Sequence, residues 1–463
     1  MPRWLFLTAC LGLALAQSPR WSGTPSYFPV TGAPTPAGPA LDRSYVLSFP
    51  AQGTPKGTLI LVPGFLGGAT SFEALARRLV LAAPGWAVWA WDRRANGLED
   101  RRGFAAPDPW AYYQGYPLPE VPFLRDWGLR VHLEDLERVV DQARQKGPVV
   151  LAGHSLGASL ASLFALYRGD KLDGLVLLDG APRLLAVGPQ AYLEGAQGPF
   201  GRLPGLNDLL SGRAPPYVAA FGLGPAALAQ AEAQAFMTAL DPGADAPPGW
   251  VAFRSSRLAA TLYRVDERYA LFPAFAVSAG QAVAREGLSL FGLALGRLAY
   301  TIRGPRGGRV EWWDTGEATD PLEFVQLYAT PTTGFSEWFF PYRLALDIAA
   351  FEAAMPGLRP RRLPYPVLAL GAGRGLLPRD EDFANAGAFF PETPFEVRVL
   401  PDLTHLDLLT NRYGAAIQPI ANYLARLPLG PAEADTTTRG ESNFLYRPPN
   451  HPKQTQAPQQ RSD

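Results

Sequence analysis

The sequence predicts an α/β protein: a mostly parallel central sheet with helices on both faces, interrupted by a mainly helical cap. Two observations carry this. Short, almost wholly apolar runs such as Thr58–Val62 (TLILV), Val149–Ala152 (VVLA) and Leu175–Leu178 (LVLL) alternate with segments of helical periodicity. Strands that are apolar at every position are covered on both faces, as in a parallel sheet. The alternation then stops near residue 183 and resumes near residue 360. The stretch between, about 183–359, is as large as a small domain.

The elements follow in order. Ser44–Phe49 and Thr58–Val62 are strands. Thr70–Leu81 is a helix, with Thr70 and Glu73 at capping-box spacing. Trp86–Trp91 is a strand. Val131–Lys146 is a helix with Leu133, Leu136, Val139, Val140 and Ala143 on one face and Gly147 at its stop. Val149–Ala152 is a strand, Leu156–Tyr167 a helix and Leu175–Leu178 a strand. Beyond the insertion come strands at Pro366–Leu370 and Phe395–Leu400, then a helix near Tyr413–Leu427. The insertion holds a helical apolar stretch, Leu288–Tyr300, and the aromatics Trp312, Trp313, Phe324, Tyr328, Phe335, Trp338, Phe339, Phe340 and Tyr342. We read it as a cap over the C-terminal edge of the sheet. Its aromatics either form its own core or line an apolar substrate pocket.

The expected organisation is therefore a core in two parts, 44–182 and 360–429, around a cap at 183–359. A Pro- and Gly-rich, weakly structured leader (17–43) precedes it, and a Pro- and Gln-biased tail (430–463) with the composition of disorder follows.

Composition excludes several classes. Of 463 residues 47% are apolar, enough for a large core and too many for whole-chain disorder. Forty-two Lys and Arg balance 42 Asp and Glu, so the basic excess that nucleic-acid binding requires is lacking. The single cysteine, Cys10, has no partner for an intramolecular disulfide. The four histidines (His132, His154, His405, His451) show no metal-ligand spacing, and no cofactor or metal is implied. No uncharged apolar run is long enough for a membrane span.

Arg3 precedes an apolar run, Trp4–Ala16, that is too short to cross a bilayer. Its ending, Ala14-Leu15-Ala16, is that of a secretory signal (1–16) cut before Gln17, so export is expected. The alternative is a lipid anchor on Cys10, through Leu7-Thr8-Ala9-Cys10.

The chemistry is carried by Gly153-His154-Ser155-Leu156-Gly157. This G-x-S-x-G follows a strand and opens a helix, the context in which a sharp turn projects a nucleophilic serine from the sheet edge. Small residues at 153 and 157 let neighbouring backbone pass. The helix N-terminus offers free N–H groups and a positive dipole to a developing oxyanion. His154 is read as packing. Directly after the TLILV strand comes Pro63-Gly64-Phe65-Leu66-Gly67-Gly68, whose glycines let backbone approach a substrate carbonyl. The N–H groups of Phe65 and Leu156 are the candidate oxyanion donors.

These features resemble the α/β-hydrolase superfamily, over about 44–182 and 360–427, in a serine esterase- or lipase-like form with a large cap. The resemblance implies an eight-stranded sheet, a cap between the sixth and seventh strands, and a Ser–His–acid triad. It puts the base on the loop after the last strand, where His405 stands. The usual place for the acid, after the seventh strand, reads Gly371-Ala372-Gly373-Arg374-Gly375-Leu376-Leu377-Pro378, with Arg374 at the acid's position. Asp179, ending the sixth strand, is favoured, since pancreatic-type lipases place their acid there; Asp380 or Asp382 are the alternatives. Asp402 and Asp407 flank His405 too closely in sequence to serve. Arg93 or Arg94, ending the WAVWAW strand, meets either a carboxylate substrate or a structural ion partner, the latter favoured.

The expected activity is hydrolysis of a small, apolar or aromatic carboxylic ester by Ser155, His405 and Asp179. A peptidase or amidase with the same triad, and a catalytically inactive secreted binding protein, are the rivals. The signal reading makes its own prediction: intact mass of the exported native protein should place the first residue at Gln17, and a diacylated Cys10 would reverse it.

Overall fold

A computed structural model describes residues 17–198, 201–219, 223–284, 308–328 and 333–428. The expected signal (1–16, with Cys10), the Leu288–Tyr300 stretch, His451 and the 430–463 tail lie outside the described residues. One compact body runs to Leu427 and takes in both sheet and insertion.

Eight strands form the central sheet: β1 (Ser26–Thr31), β2 (Arg43–Phe49), β3 (Gly57–Val62), β4 (Trp86–Asp92), β5 (Val149–His154), β6 (Gly174–Leu178), β7 (Val367–Ala372) and β8 (Phe395–Leu400). Their spatial order is β1-β2-β4-β3-β5-β6-β7-β8. β1 and β2 pair antiparallel, as do β2 and β4, and every other pairing is parallel. All residues of β3, β5, β6 and β7 are buried. Strand side chains alternate between faces, so each strand feeds two cores. Ile60, Val62, Leu151, Leu175, Leu177 and Ala369 pack toward the helices α2 (Leu129–Arg144) and α3 (Leu156–Arg168). Leu59, Leu61, Val150, Val176, Leu178 and Leu368 pack toward α1 (Glu73–Ala82) and α4 (Ile417–Arg426).

Two local expectations are corrected. The leader is not weakly structured throughout, because Ser26–Thr31 forms edge strand β1 on β2. Pro29 obscures it in the sequence, yet an edge strand tolerates proline because one row of N–H groups needs no partner. The capping box at Thr70 and Glu73 does not form. Ala69–Phe72 is a turn of 3-10 helix, α1 starts at Glu73, and no side chain caps either. The amides there are satisfied from elsewhere. Ala69 N–H donates to Asp92 Oδ1 at 2.6 Å and Thr70 N–H to the Gly334 carbonyl at 3.3 Å.

Among the described residues the excursion between β6 and β7 carries helices at Pro225–Leu240, Pro321–Tyr328 and Tyr342–Ala349 and two two-stranded antiparallel sheets. Buried polar contacts tie it to the helices that flank the sheet. Arg78 of α1 forks onto Glu323 at 2.9 and 2.7 Å. Asp347 accepts the first N–H of α2, from Leu129, at 3.0 Å, where a carboxylate also meets the positive end of the helix dipole. Of the nine cap aromatics, Phe324, Phe335, Trp338, Phe339 and Phe340 are buried while Trp313 is exposed. Phe324 and Phe335 share one apolar cluster, and Trp338 and Phe339 another, so much of this aromatic group is core. No helix among the described residues is long and apolar enough to cross a membrane.

Arg94 is fully buried. It bonds Asp135 Oδ2 at 2.7 Å, Asp42 Oδ1 at 3.1 Å and the Ala33 carbonyl at 3.0 Å, with its guanidinium over the Trp127 ring. It thus joins the end of β4, helix α2 and the segments flanking β1 and β2. Asp135→Ala leaves that charge short of a partner in a dry site, so urea unfolding should show a loss of about 3–5 kcal/mol. A loss under about 1 kcal/mol would contradict the assignment.

Candidate active site

Parallel strands deliver their C-terminal ends to one edge, and four candidate segments leave from there. β5 runs into Ser155, which sits at φ 56°, ψ −126° between strand and helix α3. A non-glycine residue holds such a conformation only when its surroundings over-determine it. They do so here through glycine. A Cβ on Gly157 would lie 2.1 Å from the Val62 carbonyl oxygen, and one on Gly153 2.2 Å from the Gly157 oxygen. The Ser155 N–H donates to the Leu178 carbonyl at 2.9 Å, fastening the turn to the end of β6.

Asp179 is the next residue after β6 and is also held at positive φ, 39°. Its carboxylate accepts from His405 Nδ1 at 2.6 Å and from the backbone N–H groups of Leu376, Leu377 and Ala372 at 2.8, 3.0 and 3.1 Å. Burial pushes Asp179 up, but the hydrogen bond and charge of His405 and the amides of Leu376 and Leu377 outweigh it. The carboxyl is held below its ordinary range. A carboxylate can only accept, so Nδ1 of His405 carries a proton, and Nε2 is the ring nitrogen left to exchange one.

The loop after β7, where the sequence resemblance placed the acid, therefore contributes amides. Gly375 makes this possible, since a Cβ there would lie 2.3 Å from Asp179 Oδ2. Arg374 turns outward to Glu267 and the Asp402 carbonyl. Asp380 is exposed, and Asp382 is engaged by Arg379, with Oδ1 2.9 Å from Nη2. Neither is hydrogen-bonded to His405. Asp407 is buried but accepts from Ser278 N–H, Thr319 Oγ1 and Thr404 N–H, and takes no bond from the His405 ring.

His405 is buried and its backbone N–H donates to the Ala274 carbonyl at 3.1 Å. His154 lies against it, with ring centroids 4.2 Å apart, and its Nε2–H donates to the His405 carbonyl at 3.1 Å. Burial, and then the neighbouring His405, push His154 well below the ordinary imidazole value, which keeps it neutral. His154 thus packs, as its place in the motif suggested, and also fastens the His405 loop. No hydrogen bond joins Ser155 Oγ to His405 Nε2 among the described residues. The two are brought to one edge by His154, which touches His405 and precedes Ser155 in the chain. His132 is remote from this group, buried in α2 against the Gly128 carbonyl.

Phe65 follows β3 in the Gly64–Gly67 turn. Among the described residues no acceptor takes its N–H. The turn lies against the serine, since a Cβ on Gly64 would be 2.9 Å from Ser155 Cβ. Leu156 is the first residue of α3, so its N–H precedes the intrahelical ladder. Arg93 and Arg94 are both buried in ion pairs, with Glu337 and with Asp42 and Asp135, as the structural reading favoured. Sequence reasoning missed Glu337 and the hydrogen-bonding role of His154, because both depend on partners more than 200 residues away in sequence.

A family model described as alpha/beta hydrolase fold matches residues 57–206. Among solved structures the chain is similar to a protein from Sulfolobus solfataricus provisionally described as a lipase, at 15% identity over 87% of this chain and 94% of that one, TM-score 0.48. Epoxide Hydrolase A from Mycobacterium thermoresistibile matches at 16% identity, covering 88% and 100%, TM-score 0.44. A thermophilic esterase from Thermogutta terrifontis matches at 15%, covering 87% and 99%, TM-score 0.39. No curated protein matches the chain.

Proposed function

We propose that this chain, which carries the α/β-hydrolase fold, is a serine hydrolase that cleaves a carboxylic ester through an acyl-enzyme. The observation that carries the reading is the 2.6 Å bond from His405 Nδ1 to Asp179, made at the sheet edge where Ser155 leaves β5. In this reading Ser155 Oγ attacks the ester carbonyl and His405 Nε2 takes its proton. The N–H groups of Phe65 and Leu156 receive the oxyanion. His405 then returns the proton to the departing alcohol, and water repeats the sequence to release the acid. Asp179 stays ionised, because its amide cradle favours the carboxylate, and holds the imidazole in the productive tautomer. Export is proposed with it, on the sequence of residues 1–16 alone.

Apolar surface beside the base supports an apolar substrate. The Phe275 ring meets the His405 ring edge-on at 5.4 Å and is half exposed, as is Phe65 on the oxyanion turn. Leu271 and Phe272 continue the exposed apolar run before Phe275.

Two measurements test this. Ser155→Ala should lower kcat for ester hydrolysis by about 10⁴–10⁶ with the fold intact. Asp179→Asn should lower it by about 10⁴, since an amide lets the imidazole take the wrong tautomer. Asp380→Asn and Asp382→Asn should each change it less than about tenfold. Near-wild-type turnover in purified Ser155→Ala would sink the reading. In a panel of aryl esters, kcat/KM should rise from acetyl to longer or aromatic acyl groups, each buried methylene contributing up to about 0.8 kcal/mol. Equal turnover across the panel would count against the apolar site.

A further inference from the structure

The Phe65 N–H belongs to a strained turn, and something must hold it. Leu66, the next residue, sits at φ 57° without being glycine. The turn is gripped from behind by Arg93, the first residue after β4. Arg93 Nη1 donates to the Pro63 carbonyl at 2.6 Å, and Nη2 to the Gly64 and Gly67 carbonyls at 2.8 and 3.0 Å. Its Nε donates to Glu337 Oε2 at 2.7 Å, and its guanidinium lies 5.0 Å from the centroid of Phe340. Phe340 in turn meets the Phe65 ring edge-on at 5.0 Å. Both charged partners are almost wholly shielded from solvent. The insertion adds a backbone clasp, because Glu337 N–H donates to the Leu66 carbonyl at 2.8 Å and Gly68 N–H to the Phe335 carbonyl at 2.7 Å.

The Gly64 contact matters most. The peptide unit joining Gly64 to Phe65 is planar, with its C=O and N–H directed oppositely. Holding the Gly64 carbonyl against Arg93 therefore holds the Phe65 N–H facing away from it. Only a forked, permanently charged donor can serve three carbonyls and a carboxylate together.

We propose that Arg93, seated by Glu337, is the positioning residue for the Phe65 oxyanion donor. This rests on the reading of Ser155 and Phe65 given above. Arg93 touches no reacting atom and acts through the orientation of one peptide.

The test uses Arg93→Lys, which keeps the charge but loses the fork, and the double variant Arg93→Met/Glu337→Met, which leaves no unpaired buried charge. Each is assayed on an aryl ester and on the matching thionoester, whose larger, weakly accepting sulfur is poorly served by rigid N–H donors. Loss of an oxyanion donor lowers kcat by about 10²–10³. We expect that loss on the oxygen ester, with KM within about threefold, and a fall of at least about tenfold in the preference for oxygen over sulfur. A folded variant with wild-type kcat overturns the proposal. So does a fall in kcat that leaves the preference unchanged, which a merely structural residue would give. If neither variant folds, Arg93 belongs to the stability of the whole fold and the proposal is again overturned. Ser155→Ala run alongside separates the two readings. Turnover that survives it removes the serine reading and Arg93's role together, whereas an inert Ser155→Ala beside fully active Arg93 variants overturns Arg93 alone.

Discussion

Backbone meets backbone at Ser155 with no room for side chains, and the arrangement of the site follows from that contact. Gly157 passes under the Val62 and Pro63 carbonyls, Gly153 lies against the Gly157 carbonyl, and Gly180 lies against the Ser155 carbonyl. Gly64 closes the group from the β3 side. At Gly157, Gly153 and Gly180 a Cβ would strike main-chain atoms, which cannot swing aside as the end of a side chain can, and at Gly64 it would strike Ser155 Cβ. The ends of β3, β5 and β6 are thereby brought within one residue's reach of the serine. The left-handed geometry of Ser155 is sustained because three segments enforce it at once.

Around this point the insertion behaves as scaffold. The Gly64–Gly67 turn is clasped by 334–337 and by the Arg93–Glu337 pair. The His405 loop is sewn to 274–278 and 319: Ala274 accepts from His405 N–H, Ala276 from Thr404 Oγ1, and Asp407 takes Ser278 N–H and Thr319 Oγ1. Burial pushes Asp407 up, and the hydrogen bonds it accepts oppose that. Both loops flanking the serine thus owe their conformations to residues supplied between β6 and β7.

Arg374, where the sequence resemblance placed an acid, fits the same set of contacts. With Asp179 at the end of β6, the loop after β7 serves as an amide cradle, and an acid at 374 would face the Glu267 carboxylate that Arg374 now meets. Arg374 instead bridges Glu267 and the Asp402 carbonyl, linking the insertion to the chain leading into His405.

What is encoded locally can be read along the chain. Apolar runs and helical periods marked most of the sheet and its helices, and the strand–turn–helix around Ser155 was legible because its glycines and its flanking elements are contiguous. β1 escaped because Pro29 hides an edge strand, and the 69–73 turn was misread because its amides are satisfied by Asp92 and Gly334. Tertiary structure alone decided which carboxylate meets His405. Asp179 and His405 are 226 residues apart, and Asp380 and Asp382 offered the same chemistry. It also decided that much of the cap's aromatic group is core, and that Arg93 faces Glu337 across 244 residues. Such pairings leave no period or spacing to read. They are selected when the chain closes on itself, because a buried charge or amide must find a partner among whatever groups the fold brings within reach.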